Sequence, residues 1–284
     1  MLLSHTSGHE YDWFNPLLAK WRASRGEAPW TGPTVEDKSA LPLVFPPGKG
    51  FAYGAGHDWA GKIVEIVSGK SLDEFMRERI WGPLGIMEDE AGFYPDKNER
   101  MKAKMAGMSS LNEKGEGPAF DLPGFDMLFG GKECLGGAGV YCSAEVYYKF
   151  LSAVLRRDGR LFKKGESFED LLRPQLEGEV ERAFNEYLAV DQAHVDTLAC
   201  RIPEGIRKNF SFAGLVTGAG QEGRFGKGTI FWGGVPCCQW FIDRESGVCG
   251  VAVCQVLPPM CPSIVALHEE FQRGVMEIVK GRDA

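Results

Sequence analysis

Apolar residues recur every three or four positions in four stretches of this chain, and that spacing places them on one face of a helix. We therefore predict helices over residues 58–67, 71–82, 143–158 and 262–278. The first is expected to bury Trp59, Ile63 and Val67. The last is expected to bury Ile264, Leu267, Phe271, Val275 and Ile278.

Local signals mark the ends of these helices. Ser71 and Glu74 have the spacing of a capping box, and Ser143 stands where an N-cap belongs. Gly69 is placed to end the first helix, because glycine adopts the left-handed conformation that closes many helices. Asp58 is expected to cap the start of that first helix.

Three apolar runs in the last third of the chain predict β-strands, over residues 229–234, 237–243 and 248–256. A short reversal joins the last two, so we expect an antiparallel meander. Residues 95–139 are weakly periodic and rich in glycine and methionine, which is typical of a long lid or binding loop, or else of a disordered segment. Helices followed by an antiparallel sheet and a covering helix predict an α+β fold, with residues 1–284 as a single domain.

Composition and charge narrow the class of partner. The chain is 44% hydrophobic and 25% charged, as in soluble globular proteins, and carries a net charge of -7 without any run of basic residues. We therefore expect neither nucleic acid nor an anionic membrane as partner. Eight cysteines without a C-x-x-C pair, and no signal-peptide pattern, predict reduced thiols in the cytoplasm.

The stretch PPGKGFAYGAGHDW (46–59) carries the first candidate for chemistry. It presents Tyr53 on a glycine-rich turn directly before a helix, and a phenol oriented by the backbone suits acid/base work. A buried core tyrosine beside a turn is the alternative. His57 is one residue from that turn, and it is either part of a pocket or a loop histidine.

A second candidate is Trp232-Gly233-Gly234-Val235, where two glycines interrupt a predicted strand. Glycine inside a strand indicates the close approach of a ligand or another backbone, or else a β-bulge. With Trp232 as an apolar wall, these residues are candidates for a substrate-binding edge.

Two other patterns carry less weight. GAGQEG (218–223) matches G-x-G-x-x-G, but a strand-like run follows it, whereas a dinucleotide site needs a helix there. We interpret it as a flexible loop. His5 and His9 have the spacing of two zinc ligands, but Gly8 lies between them and no third ligand is placed.

Four blocks, in order along the chain, together resemble the serine β-lactamase and penicillin-binding-protein-like family. They are LLSHTSG (2–8) and the segments 42–86, 136–155 and 227–259. The closest branch is that of class C β-lactamase-like esterases and fungal acyltransferases that transfer polyketide side chains. The resemblance implies a β-lactamase/transpeptidase-like α+β fold, with an antiparallel sheet flanked by helices.

In that family a Ser-x-x-Lys helix supplies the nucleophile, and a tyrosine and the lysine relay its proton. The resemblance implies that Tyr53 is this tyrosine. It places Trp232-Gly233-Gly234 where lactamases have Lys-Thr-Gly, and it makes the Val235 N–H an oxyanion donor. It also implies esters or thioesters of a small-molecule metabolite as substrates, with no metal and no organic cofactor.

One part of the family pattern is absent, because no serine in the sequence is followed three residues later by lysine. We expect the family's N-terminal helix and first two strands to be missing, together with the nucleophile segment. The chain is then a fragment of a serine hydrolase, a silent ligand-binding pseudoenzyme, or a non-covalent acid/base enzyme using Tyr53. Without those strands the last predicted strand is left open, so a homodimer through the exposed sheet edge is expected.

Overall fold

A computed structural model describes residues 1–259 and 261–282. The chain divides into two compact units built from interleaved segments. The first unit comprises Met1–Ala103, Asp126–Cys142 and Glu177–Phe184, and the second comprises Lys104–Phe125, Ser143–Leu176 and Asn185–Ala284. One domain over residues 1–284 stays a prediction.

Ten α-helices lie in the part of the chain that the structure describes. They are α1 Pro16–Ser24, α2 Val35–Ser39, α3 Gly56–Ser68, α4 Leu72–Met76, α5 Glu99–Lys104, α6 Ala144–Leu155, α7 Gly165–Leu172, α8 Gly178–Leu188, α9 Gln192–Thr197 and α10 Pro262–Arg282. A π-helical turn, Arg77–Trp81, extends α4, and 3₁₀ turns form at Leu2–Ser4 and Pro95–Lys97. Within residues 1–259 and 261–282, no helix is both long and apolar enough to cross a bilayer.

Ten strands in the described residues form three sheets. They are β1 Ala91–Gly92, β2 Ser109–Ser110, β3 Phe120–Asp121, β4 Tyr141–Cys142, β5 Lys208–Phe210, β6 Leu215–Thr217, β7 Ile230–Gly234, β8 Cys238–Asp243, β9 Val248–Ala252 and β10 Val256–Leu257. The main sheet is antiparallel with the order β5-β6-β7-β8-β9. Two small sheets have the orders β1-β4 and β10-β2-β3.

The predicted meander is confirmed as β7, β8 and β9, and α6 packs on β9 in the same unit. Alternate residues of these strands point to one face, where they join apolar side chains of α6 and α7. The buried members of this core are Leu151, Val154, Leu172, Val216, Ile230 and Ile242. Each such side chain contributes about 1.5–3 kcal/mol by leaving water, so this core is a main source of the second unit's stability.

The predicted helix ends are largely confirmed. The Ser71 side chain accepts a hydrogen bond from the Glu74 N–H, and the Glu74 carboxylate accepts one from the Ser71 N–H. Ser143 caps α6 through the Val146 N–H. Gly69 ends α3 with a φ of 68°, in the left-handed region that favours glycine.

Two predictions about α3 are wrong. Ala55 is its N-cap, and Asp58 is instead a buried acceptor for groups outside the helix. Ile63 and Val67 are 51% and 82% exposed, and the helix buries Gly61 instead. A Cβ at Gly61 would lie 2.9 Å from the Leu72 side chain, so a small residue, rather than an apolar stripe, makes this contact.

The predicted apolar face of α10 is also wrong in part. Leu267 and Ile278 are 58% and 61% exposed, whereas His268 and Gln272 are buried. Gln272 is buried because it takes part in a polar network: its Oε1 accepts from Arg224 at 2.6 Å, and its Nε2 donates to another glutamine. Likewise, residues 95–139, predicted as a long loop, contain α5, β2 and β3.

Strand β9 is an end strand of the main sheet within the described residues. Open edges of this kind pair with other chains, so we expect the chain to form dimers or larger assemblies through β9. Sedimentation at tens of micromolar tests this, with Val253→Lys as the variant, because a lysine beside an edge strand opposes pairing. Val253 is exposed. A stable monomer, or assemblies that the lysine leaves unchanged, would contradict the prediction.

Candidate active site

Tyr53 lies in the loop that enters α3, and residues from the start of the chain hold that loop in place. The Ala52 N–H donates to the His5 carbonyl at 3.1 Å, and the Tyr11 N–H donates to the Tyr53 carbonyl at 3.2 Å. The Gly54 N–H donates to Nδ1 of His5 at 3.4 Å. Three consecutive residues of the loop are thus hydrogen-bonded to one segment, which fixes the backbone from which the phenol projects.

Two glycines allow these segments to approach so closely. A Cβ on Gly54 would overlap with the carbonyl oxygen of His9, and a Cβ on Gly56 would overlap with that of Leu2. Backbone lies directly against backbone at both positions, so neither glycine can be replaced without moving the Tyr53 loop.

Aromatic rings enclose the Tyr53 ring within the first unit. Its centroid lies 4.9 Å from that of His5, 5.3 Å from that of Tyr11 and 5.9 Å from that of Phe14, each in an edge-to-face arrangement. The His57 ring is 5.0 Å from the His5 ring. Tyr53 is only partly buried, so the catalytic role assigned to it stays a prediction beside the core-tyrosine alternative.

The imidazoles near Tyr53 are held neutral by their surroundings. Burial, and then the neighbouring His57, lower the pKa of His5 well below its usual value. Burial also lowers the pKa of His57 and, in a more open position, that of His9. At neutral pH these rings can therefore donate or accept hydrogen bonds without adding positive charge.

A buried carboxylate, that of Asp58, contacts the Tyr11 hydroxyl. Asp58 accepts from the Tyr11 hydroxyl at 3.2 Å and from the Gly137 N–H at 2.9 Å. Burial raises the pKa of Asp58 and that of the Tyr11 phenol. The Tyr11 ring packs against Tyr53, whereas the Tyr11 hydroxyl donates its proton to Asp58. We therefore assign Tyr11 a packing role beside Tyr53.

Aromatic side chains continue from this cluster to the surface. Trp13 stacks on Tyr11 at 4.8 Å and lies 5.0 Å from Trp30, while Phe129 lies 6.0 Å from Trp30. Trp13 and Phe129 are 46% and 45% exposed. We call Trp13, Phe14 and Phe129 the aromatic rim.

Beneath the rim lies a buried lysine. The Lys38 ammonium donates to the carbonyls of Trp30 and Phe129, at 2.9 and 3.1 Å, and lies 4.6 Å from the centroid of the Trp30 ring. Burial lowers the pKa of Lys38. These contacts occupy the ammonium, so it reinforces the rim rather than serving as a base.

The second group of predicted site residues lies at the end of β7. Gly233 pairs with Gln239 and Gly234 with Cys238 in regular register, so the β-bulge alternative is wrong. A Cβ on Gly233 would lie 2.5 Å from the Cys238 carbonyl, which means that the neighbouring strand accounts for this glycine. At Gly234 the nearest atom would be the Cys238 Sγ at 3.6 Å, an ordinary contact.

The residues beside these glycines differ in exposure. Trp232 is partly buried and its ring lies 5.2 Å from that of Phe210. Val235 begins the turn to β8 and is 47% exposed. The substrate-binding roles of His57, Trp232, Gly233, Gly234 and Val235 stay predictions.

The lesser motifs have structural explanations. In the described residues no group of three or more His, Cys, Asp or Glu could hold a metal ion. The G-x-G-x-x-G stretch forms a turn closed by a bridge between Gln221 and Phe225, and β7 follows it. The eight cysteines, all within the described residues, are not joined in disulfides, and Cys237 is fully buried with its thiol donating to the Val256 carbonyl.

Sequence reasoning missed His5 and Tyr11 as neighbours of Tyr53. His5 lies in the block LLSHTSG, so the family resemblance was a signal that could have found it. Its contact with Gly54 spans 49 residues, and no local pattern reveals such a pairing.

The α+β fold, with an antiparallel sheet flanked by helices, is of the β-lactamase/transpeptidase-like class. A family model described as Beta-lactamase matches residues 1–268, so the chain belongs to the Beta-lactamase family.

Several proteins of stated activity are similar to this chain over most of its length. The chain is similar to lovastatin esterase of Penicillium rubens, with 32% identity over 97% of this chain and 68% of that protein. It is also similar to ML-236A carboxylate methylbutanoyltransferase of Penicillium citrinum, with 32% identity over 99% of the chain and 66% of the relative. A mutant of simvastatin synthase from Aspergillus terreus superposes with a TM-score of 0.86 and 31% identity, covering 99% of this chain and 67% of that structure. This chain spans about two thirds of the length of these proteins.

Proposed function

We propose that this chain supplies the proton-transfer tyrosine and an apolar substrate surface of a Beta-lactamase-family esterase or acyltransferase. Its substrate is an ester or thioester of a small, largely apolar metabolite. The observation that carries the proposal is the clamped loop that presents Tyr53, hydrogen-bonded at three consecutive residues and continuous with the aromatic rim.

The chemistry assigned to Tyr53 needs a partner. A free phenol has a pKa of about 10, so a tyrosine alone is a poor base at neutral pH. In the family a neighbouring lysine lowers the pKa of the tyrosine, which can then take up the proton of the serine hydroxyl. The serine gives up that proton as it attacks the acyl carbonyl. These 284 residues contain no Ser-x-x-Lys. Lys38 does not take the place of the family's lysine, because its ammonium donates to two backbone carbonyls.

The substrate class follows from the surroundings of Tyr53. Neutral imidazoles and exposed aromatic rings favour an uncharged, apolar acyl group over an ionic one. The names of the two relatives specify an esterase and a methylbutanoyltransferase. We therefore favour a short, branched acyl group, such as methylbutanoyl, carried on a bulkier apolar molecule.

A second candidate is a non-covalent acid/base enzyme, favoured by the packing of His5 between Tyr53 and His57. In that case Tyr53 would act on water or substrate directly, and no acyl-enzyme would form. A silent binding protein would instead take up acyl esters saturably without turning them over.

Covalent labelling separates these candidates. We expect this chain to form no stoichiometric adduct with a fluorophosphonate or a penicillin, as measured by intact mass, because no serine has a lysine in the matching position. A chimera that joins it to a Ser-x-x-Lys segment of the family should gain one adduct and hydrolyse p-nitrophenyl esters. The matched control is the same chimera with that serine replaced by alanine.

Each outcome decides between the candidates. An adduct on any serine of this chain would overturn the proposal. Cys237 is excluded as a hidden nucleophile by its burial. Ester turnover by this chain without an adduct, lost in Tyr53→Phe, would favour the non-covalent enzyme. A chimera that binds esters but stays inactive would favour the binding protein.

A further inference from the structure

His5 contacts the backbone on both sides of Tyr53. Its carbonyl accepts from the Ala52 N–H at 3.1 Å and its Nδ1 accepts from the Gly54 N–H at 3.4 Å. Its ring packs edge-to-face on the Tyr53 ring, with 4.9 Å between centroids. His5 is 2% exposed. The side chain of His5 thus contacts Tyr53 and Gly54, while its main-chain carbonyl holds Ala52.

The backbone of His5 is itself unusual. Its φ is 53°, in the left-handed region that non-glycine residues enter rarely, and it ends the 3₁₀ turn at the start of the chain. Such a conformation persists only where the surroundings hold it. Here it aims the carbonyl and the ring of one residue at the same short loop.

The hydrogen bond from Gly54 also determines the tautomer. A nitrogen that accepts from an N–H must carry a free lone pair, so Nδ1 of His5 is unprotonated and the neutral ring holds its proton on Nε2. A second proton would have to enter at Nδ1 and would break the contact with Gly54. Burial and His57, which lower the pKa of His5, keep this from happening at neutral pH.

We propose that His5 is a positioning residue for Tyr53, acting as a neutral, Nε2-protonated acceptor that fixes the turn from which the phenol projects. This inference rests on the acyl-transfer role proposed for Tyr53. His5 does not itself touch the reacting atoms in this account. Its effect on catalysis therefore passes through Tyr53 and should vanish when the Tyr53 hydroxyl is removed.

Two substitutions separate the acceptor from the ring. In His5→Asn, Oδ1 takes the place of Nδ1 as acceptor, and asparagine tolerates the left-handed conformation. In His5→Phe, the aromatic packing on Tyr53 is kept but the acceptor for Gly54 is lost. If His5 works by holding Gly54, asparagine should preserve the loop and phenylalanine should not.

A measurement without catalysis tests the structural half. In ¹⁵N NMR of the native chain at pH 7, His5 should show the neutral Nε2–H tautomer, because burial and His57 lower the pKa of His5 well below its usual value. In chains with ¹³C-labelled tyrosine, the Tyr53 ring signals should stay close to native in His5→Asn and shift or broaden in His5→Phe. Tyr94 is the internal control, because it packs in a separate cluster and contacts Cys134. An Nδ1–H tautomer, a charged ring at pH 7, or equal effects of the two variants would overturn the inference.

A double-mutant cycle tests the functional half in the chimera that carries a Ser-x-x-Lys segment. His5→Phe should lower kcat by about 10²-fold with little change in KM, the scale of a small misplacement of a catalytic group, and His5→Asn should lower it much less. In a Tyr53→Phe background His5→Phe should have almost no further effect. An equal loss in both backgrounds would show a general structural role and overturn the inference. If no chimera turns over any ester, the proposed function fails, and the NMR measurements alone decide the positioning role.

Discussion

Replacing Tyr53 by phenylalanine is expected to lower ester hydrolysis by about 10²–10⁴-fold, the usual scale for losing a general acid/base. The substitution removes one hydroxyl and keeps the ring that packs against His5, Tyr11 and Phe14. The loop should therefore keep its shape, and the loss should report on proton transfer. We expect kcat to fall while KM stays nearly constant.

The measurement is kcat/KM on short p-nitrophenyl esters with the chimera that contains a Ser-x-x-Lys segment. Tyr94→Phe is the matched control, since it removes a hydroxyl from a partly buried tyrosine of the same unit that contacts Cys134. His57→Ala should reduce activity much less than Tyr53→Phe. Activity that survives in Tyr53→Phe would remove Tyr53 from the mechanism and return it to the core-tyrosine alternative.

The largest expected effect on stability comes from Asp12→Ala. Asp12 is fully buried, and its Oδ2 accepts from Arg22 Nε at 2.8 Å and from the Trp30 N–H at 3.1 Å. Its removal leaves a buried guanidinium without its closest carboxylate, a change that typically costs about 3–5 kcal/mol. We expect urea denaturation, followed by tryptophan fluorescence, to show a loss of this order.

Glu27 provides the matched control for Asp12, because it pairs with the same Arg22 at 3.0 Å but its side chain is 32% exposed. Glu27→Ala should cost about 0–1 kcal/mol, as for surface ion pairs.

The other Asp12 oxygen, Oδ1, has no hydrogen-bond partner among the described residues. The pair is thus incompletely satisfied, and the double replacement Asp12→Leu with Arg22→Met should cost less than Asp12→Ala alone. A double variant less stable than the single one would contradict this view.

The elements that could be predicted are those whose causes are local. The cap of Ser71 with Glu74 and the end of α3 at Gly69 depend on residues within one turn, so their spacing in the sequence was sufficient. The strands β7 to β9 follow one another with short turns, so their alternation and order also determined their pairing.

The errors concern contacts between distant segments. Periodicity assigned the apolar side of α3 to packing, but Gly61 and Asp58 form the buried side, because neighbouring backbone and the Tyr11 hydroxyl lie there. Contacts between distant segments were also missed at the candidate site. The loop of Tyr53 was found from its glycines, whereas His5 and Tyr11 reach it across more than forty residues and gave no local sign.

The contact of Gly54 and Gly56 with the backbone of residues 2–9 has a consequence for protein engineering. Because the two segments lie against each other through main-chain atoms, each constrains the length and conformation of the other, whatever side chains it carries. Exchanging only one of them with a relative would bring together two backbones that did not evolve as a pair. Residues 1–12 and 44–58 should therefore be transplanted together when loops are recombined among these enzymes. Libraries that place a crossover between them should return few active members.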